Sequence, residues 1–151
     1  MLDLDEAKLT QEMITLLENT QTMILATCSN NKVTARSMAV VNDGLTVLFQ
    51  TGGHSEKIRQ LTQNRNVALA AGHMQVEATA QVTEDPGKIQ GFLAKYREKY
   101  PQYYAAYSGM LGEVTVVCTP VRVAIYRFID GRPCTDVLDV TQKRAYREVL
   151  M

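Results

Sequence analysis

Apolar and polar positions alternate along most of this chain, and helical spacing replaces the alternation in three stretches. Near the start, Leu9, Met13, Leu16 and Leu17 fall at i, i+4, i+7 and i+8, one apolar stripe of an amphipathic helix. Asp3 with Glu6 three residues on resembles its capping box, so residues 1–20 read as an N-terminal helix. Thr22 to Ser29 is β-rich and apolar on both faces, which predicts a central strand, and Asn30-Asn31 makes the turn after it. Val33 to Asn42 alternates: Arg36, Met38 and Val40 share one face, Ala35, Ser37, Ala39 and Val41 the other.

Asp43-Gly44 then reads as a hairpin turn into a strand from Leu45 to Thr51. After Gly52-Gly53, Ser55 is placed to cap a helix over Glu56–Gln63 that turns Ile58 and Leu61 inward. Asn66 to His73 and Gln75 to Thr83 predict two further strands. Asp85-Pro86 starts a helix with Ile89, Phe92, Leu93, Tyr96 and Tyr100 on its apolar side, and Pro101 ends it. Glu113 to Cys118 and Val121 to Ile129 supply the last long strands. The Thr119-Pro120 interruption implies a bulge or a strand end. Asp130-Gly131 turns the chain again, and Pro133 to Val140 is a short extended return. Thr141–Met151, with Lys143, Arg144 and Arg147, is either a solvated charged end or an arm reaching a second subunit. The sum is a mainly β chain with flanking helices: six or seven antiparallel strands curled into a small Greek-key barrel.

Composition adds bounds. A chain of 151 residues is expected to form one domain with a sizeable core. Sixteen acidic residues balance sixteen basic ones, so no net field draws the chain to nucleic acid or to a membrane surface. The longest apolar runs are too short to span a bilayer, and no basic-then-apolar leader opens the sequence. Cys28, Cys118 and Cys134 are odd in number and widely spaced, as reduced thiols are, which predicts a cytoplasmic address and no metal site.

The candidate chemistry gathers between Arg36 and Lys57. An arginine among apolar residues on a strand needs a partner. At the end of the neighbouring strand come Gln50 and Thr51, the Gly52-Gly53 pair, and Ser55 and Lys57 at a helix start. A lysine in that first turn opposes the helix dipole unless an anion sits there. A phosphate is the natural guest. No Gly-x-Ser-x-Gly or HExxH motif competes, and only two histidines are present. The tyrosines at 100, 103, 104 and 107 either line a pocket or pack as core or interface. The small residues Ala68, Ala70, Ala71 and Gly72 fit a flat ligand, a close backbone or crowded packing.

The order of these pieces resembles the FMN-binding split β-barrel superfamily that includes pyridoxamine 5′-phosphate oxidase. Arg36-Ser37-Met38-Ala39-Val40-Val41, the strand ending Phe49-Gln50-Thr51, Ser55-x-Lys57 and the Asn66-x-Val-Ala-Leu run carry the likeness. It is strongest over residues 20–85 and extends more loosely to about 130. The resemblance implies a split barrel that binds FMN. Arg36, Ser55 and Lys57 would hold the phosphate, with Ser37, Met38, Val40 and Val41 running along the ring and Gln50 and Thr51 contacting it. Gln75 would reach the flavin across the interface of a homodimer. An FMN-dependent oxidoreductase or flavin reductase acting on a small-molecule substrate or electron donor is the leading expectation. Alternatives on the same barrel are a haem- or deazaflavin-binding protein, with His54 or His73 as an axial ligand, and a non-catalytic FMN-binding stress or redox protein. The chain has no tryptophan, and its tail offers Arg144 and Arg147 without a histidine. The substrate-binding tail of pyridoxamine-phosphate oxidases is therefore not matched, and the substrate and catalytic residues stay unassigned.

Overall fold

A computed structural model describes residues 1–150. Ten strands and four helices follow in the order β1 (Leu2–Asp3), α1 (Glu6–Glu18), β2 (Thr22–Ser29), β3 (Lys32–Ala39), β4 (Val41–Asp43), β5 (Thr46–Gly52) and α2 (Glu56–Gln63). Then come β6 (Asn66–Ala71), β7 (Met74–Thr83), α3 (Pro86–Lys99), α4 (Pro101–Tyr107), β8 (Glu113–Ile129), β9 (Arg132–Asp139) and β10 (Arg144–Val149). All the pairings are antiparallel, and the strands run β1-β10-β9-β8-β7-β6-β2-β3, with β5 added to β8 and β4 to β5. This is the expected mainly β, split-barrel architecture, with ten strands where six or seven were expected.

The main core lies inside the barrel, where Met23, Leu25, Val47, Phe49, Leu69, Val76, Val116 and Val123 meet Leu9, Met13 and Leu17 of α1. A second core lies outside β4 and β5, where Val41 and Leu48 pack under Phe92, Tyr96 and Tyr100 of α3. The aromatic packing expected of the tyrosines therefore holds for Tyr100, whereas Tyr103 and Tyr107 stay exposed.

Several details refine or differ from the sequence expectation. Helix α1 is capped by Asp5, whose carboxylate accepts from Lys8 N, not by Asp3, which pairs in β1. Leu16 points to solvent. The alternating run through Asn42 breaks at Val40, so its two halves pair with different strands. The interruption at Thr119-Pro120 does not end a strand. Glu77 faces Arg122 while Ala78 faces Pro120, so Val121 is a bulge within a continuous β8, one of the two readings the proline allowed. The charged tail forms β10: Arg147 sets a two-pronged bond on the buried Asp136 at 2.7 and 2.9 Å, which makes a solvated arm unnecessary.

Among the described residues, no helix is long and apolar enough to cross a membrane.

Candidate functional site

Arg36 leaves β3 on the side covered by α2. One guanidinium nitrogen donates to Leu25 O at 3.2 Å and to Thr27 Oγ1 at 2.9 Å, and the other donates to Thr34 Oγ1. Both threonines donate to Gln60 Oε1 on α2, at 2.5 and 2.6 Å. Three of the guanidinium's five N–H groups are thus engaged, and the remainder are available to a ligand. The network explains how a half-buried arginine is tolerated with no carboxylate in ion-pair reach among the described residues. Burial holds its pKa down, opposed by the charge of Glu56, whose carboxylate instead pairs with Lys32 at 3.0 Å.

Lys57 stands in the first turn of α2. Burial lowers its pKa and the guanidinium of Arg36 lowers it further, partly offset by Glu113. A lysine at a helix start that also feels the charge of a nearby arginine asks for an anion. Ser55 occupies the N-cap position, but its hydroxyl makes no cap bond and is buried with no partner. A native hydroxyl orphaned in this way needs an explanation. A ligand oxygen beside Lys57 supplies one.

The turn before Ser55 is set by close approach. Gly53 N donates to Gly112 O at 2.7 Å, and a Cβ on Gly53 would sit 3.0 Å from that carbonyl. Gly52 pairs with Glu113 across β5 and β8. Thr51 is buried at this strand end, and Gln50 Oε1 is buried without a partner. Among the described residues β3 pairs with β2 alone, so its other backbone edge stays open along Arg36–Ala39.

The other expected residues fall elsewhere. Ser37 is on the outer face of β3, Met38 packs against the main core, Val40 is buried in it, and Val41 is buried in the second core. Val40 and Val41 can offer a ring only their backbone. Gln75 is exposed, and β2 and β6 lie between its strand and β3. It lies in the outer row Ser37–Ile24–Ala70–Gln75–Ala124, on the face opposite Arg36. His54 is exposed in its turn, and His73 packs on the ring of Tyr126 at 5.8 Å. Neither joins the Arg36 group. Among the described residues no three potential metal ligands come together.

Thr27, Thr34 and Gln60 were not singled out from the sequence. Thr34 lies two residues before Arg36 on the same strand face, and Gln60 lies three after Lys57 on the same helix face, so spacing could have found both.

The family model described as pyridoxamine 5′-phosphate oxidase matches residues 9–127. This chain belongs to that family. No curated protein sequence matches this member of the pyridoxamine 5′-phosphate oxidase family. Several solved structures share its fold. A candidate pyridoxamine 5′-phosphate oxidase from Listeria innocua superposes with a TM-score of 0.66 at 19% identity, over 78% of this chain and 97% of that one. General Stress Protein 26 from Bacillus anthracis gives 0.59 at 22%, over 75% and 90%. HutZ, the haem storage protein from Vibrio cholerae, gives 0.60 at 14%, over 78% and 91%. At these identities the likeness concerns the fold.

Proposed function

We propose that this chain binds FMN, with the phosphate on Arg36, Ser55 and Lys57, and works as an FMN-dependent oxidoreductase. The observation that carries the reading is the pair of crowded cations, Arg36 and Lys57, beside the orphaned Ser55 hydroxyl. A phosphate dianion accepts from all three and relieves the repulsion, and the family fits the same cofactor. The open edge of β3 and the unpartnered Gln50 Oε1 suit the alternating donors and acceptors along a flavin edge.

Bound there, FMN would supply electron transfer to and from a small-molecule partner. The chain's own task is placement. Thr27, Thr34 and Gln60 aim the guanidinium, Gly53 keeps the turn tight enough to present Ser55 and Lys57, and the backbone of β3 sets the plane.

The working unit in this reading is a homodimer. The outer rows Ala35–Ala26–Ala68 and Ser37–Ile24–Ala70 are small or apolar, and Ile24 and Val33 are 45 and 68% exposed. Such a patch is what a second copy covers. That docking would bring Gln75 of one protomer toward the other's open β3 edge.

The test is a visible absorbance spectrum after FMN is added and the protein desalted. Retained bands near about 370 and 450 nm support the reading. A colourless protein overturns it, and a sharp Soret band after purification would transfer the site to haem, which HutZ stores.

A further inference from the structure

We propose that Lys99, at the end of α3, is a positioning residue whose charge makes bound FMN easier to reduce. This rests on the FMN reading above.

The geometry begins at Val40, where β3 ends and β4 begins. Its carbonyl accepts two bonds, from Lys99 Nζ at 3.0 Å and from the Tyr100 hydroxyl at 2.9 Å. Lys99 also donates to Thr20 O, and Tyr100 to Gln21 O. One clamp therefore ties the end of α3 to the α1–β2 turn and to the break that closes the open edge of β3. With a phosphate at Arg36, a ring laid along that edge toward the end of β3 would finish beside Val40, four residues on, whose carbonyl Lys99 holds.

A peg for backbone carbonyls does not need a charge, as Tyr100 shows on the same acceptor. Lys99 carries one nonetheless. Among the described residues no carboxylate lies within ion-pair distance of it, although Glu18 and Glu98 share its cleft with Lys95. Its ammonium lies over the Tyr100 ring, 5.3 Å from the centroid. The ammonium is half-buried, and its pKa is lowered by that burial. A cation so placed is poorly screened, and it acts on what lies beside Val40.

Oxidised FMN has a neutral ring. Two electrons and one proton convert the ring to an anion, which an adjacent ammonium favours. In the experiment the electrons come from xanthine through xanthine oxidase, and a reference dye reports the equilibrium. Lys99→Gln keeps amide donors for the clamp and removes the charge. It should lower the preference for reduced over oxidised FMN about tenfold, a fall of about 30 mV for a two-electron couple. Lys99→Arg should hold the wild-type potential, and Tyr100→Phe should lose thermal stability with the potential unchanged. Lys99→Gln at full FMN occupancy with the wild-type potential overturns the inference.

If Lys99→Gln does not fold, the wild type and Lys99→Arg are compared as pH rises. Glu18, Glu98 and Lys95 are common to both. The wild-type potential should drop below that of the arginine variant as Lys99 deprotonates, below the ordinary lysine range, and a constant difference overturns the proposal. A protein that takes up no FMN overturns the cofactor reading together with this one. A protein that binds FMN with no dependence on Lys99 overturns this one alone.

Discussion

Burial and, after it, the guanidinium of Arg36 depress the pKa of the Lys57 ammonium, and neither cation has a carboxylate within ion-pair distance among the described residues. Within this chain the arrangement is a cost, because two half-buried like charges repel. It becomes favourable once an anion with two or more acceptor oxygens lies between them.

Replacing either residue should therefore weaken FMN far more than riboflavin, which lacks the phosphate. Arg36→Ala and Lys57→Ala should each lose on the order of 1.5–3 kcal/mol of FMN affinity. Fluorescence quenching titrations of apo-protein measure it. Equal losses for FMN and riboflavin would remove the phosphate from this site.

The alkaline pH dependence follows from the lowered Lys57 pKa. FMN affinity should rise as its phosphate becomes dianionic near pH of about 6, then hold. It should fall as pH climbs through the depressed Lys57 value, earlier than an ordinary lysine near 10.5 would dictate. In the apo-protein the unfolded chain holds more protons between those two values. Stability contributed by this group should thus increase with pH across that window. Lys57→Arg should move the affinity loss out of the range, as titrations at several pH values would reveal.

Gly53 leaves little room for a side chain. Its Cβ would meet the Gly112 carbonyl at 3.0 Å and Val114 Cγ1 at 3.2 Å, so in Gly53→Ala these neighbours must give by a few tenths of an ångström. Urea unfolding should register about 1–3 kcal/mol of destabilisation, with weaker FMN binding because Ser55 and Lys57 follow directly. Gly44→Ala, at φ +59 with nothing within 4 Å of its Cβ, should lose about 1 kcal/mol through backbone strain alone. Its FMN affinity should not change.

Asp136 holds the far side of the barrel. It is 1% exposed, takes both prongs of Arg147, and lies 3.1 Å from Nε of Arg127, which also reaches Glu12 of α1 at 2.8 Å. Asp136→Asn leaves two arginines facing a neutral amide and should cost about 3–5 kcal/mol. Thermal unfolding would show it, while the cofactor end keeps its affinity in the folded fraction.

Ala26 sits at the centre of the small-residue rows, paired with Ala35 on one side and Ala68 on the other. Ala26→Arg should convert a dimer to a monomer in sedimentation equilibrium. A wild type that already sediments as a monomer would refute the dimer.

Several of these features could be read from the sequence because they are local. The Thr22–Ser29 strand, the hairpin turn near Asp43-Gly44 and the Glu56–Gln63 helix depend on side-chain period and on residues with special backbone preferences; the strand and the helix appear as expected, and the turn falls one residue later, at Gly44-Leu45 between the paired Asp43 and Thr46. Arg36, Ser55 and Lys57 could be named because a charge in an apolar strand and a lysine in a first helical turn are locally unfavourable. Other features depend on distant partners. Nothing near Arg147 announces that Asp136 will be buried beneath it, so the tail's role as β10 was hidden. Val40 reads as one more alternating residue, and only the donors at 99 and 100 reveal where the strand breaks. The threonines and Gln60 that hold Arg36 come together only when α2 closes over β2 and β3.

Strand β8 has a further consequence, in time rather than space. Its first half pairs with β5, from Val47 opposite Cys118 to Gly52 opposite Glu113, and its second half pairs with β9. On the ribosome, the apolar run Val47-Leu48-Phe49 must therefore wait with one edge uncovered until a much later segment emerges. Such long-range closure is slow and leaves nascent chains prone to aggregate. Chaperone demand and yield at elevated temperature should thus track the pairing of these two strands more than any contact at the cofactor end.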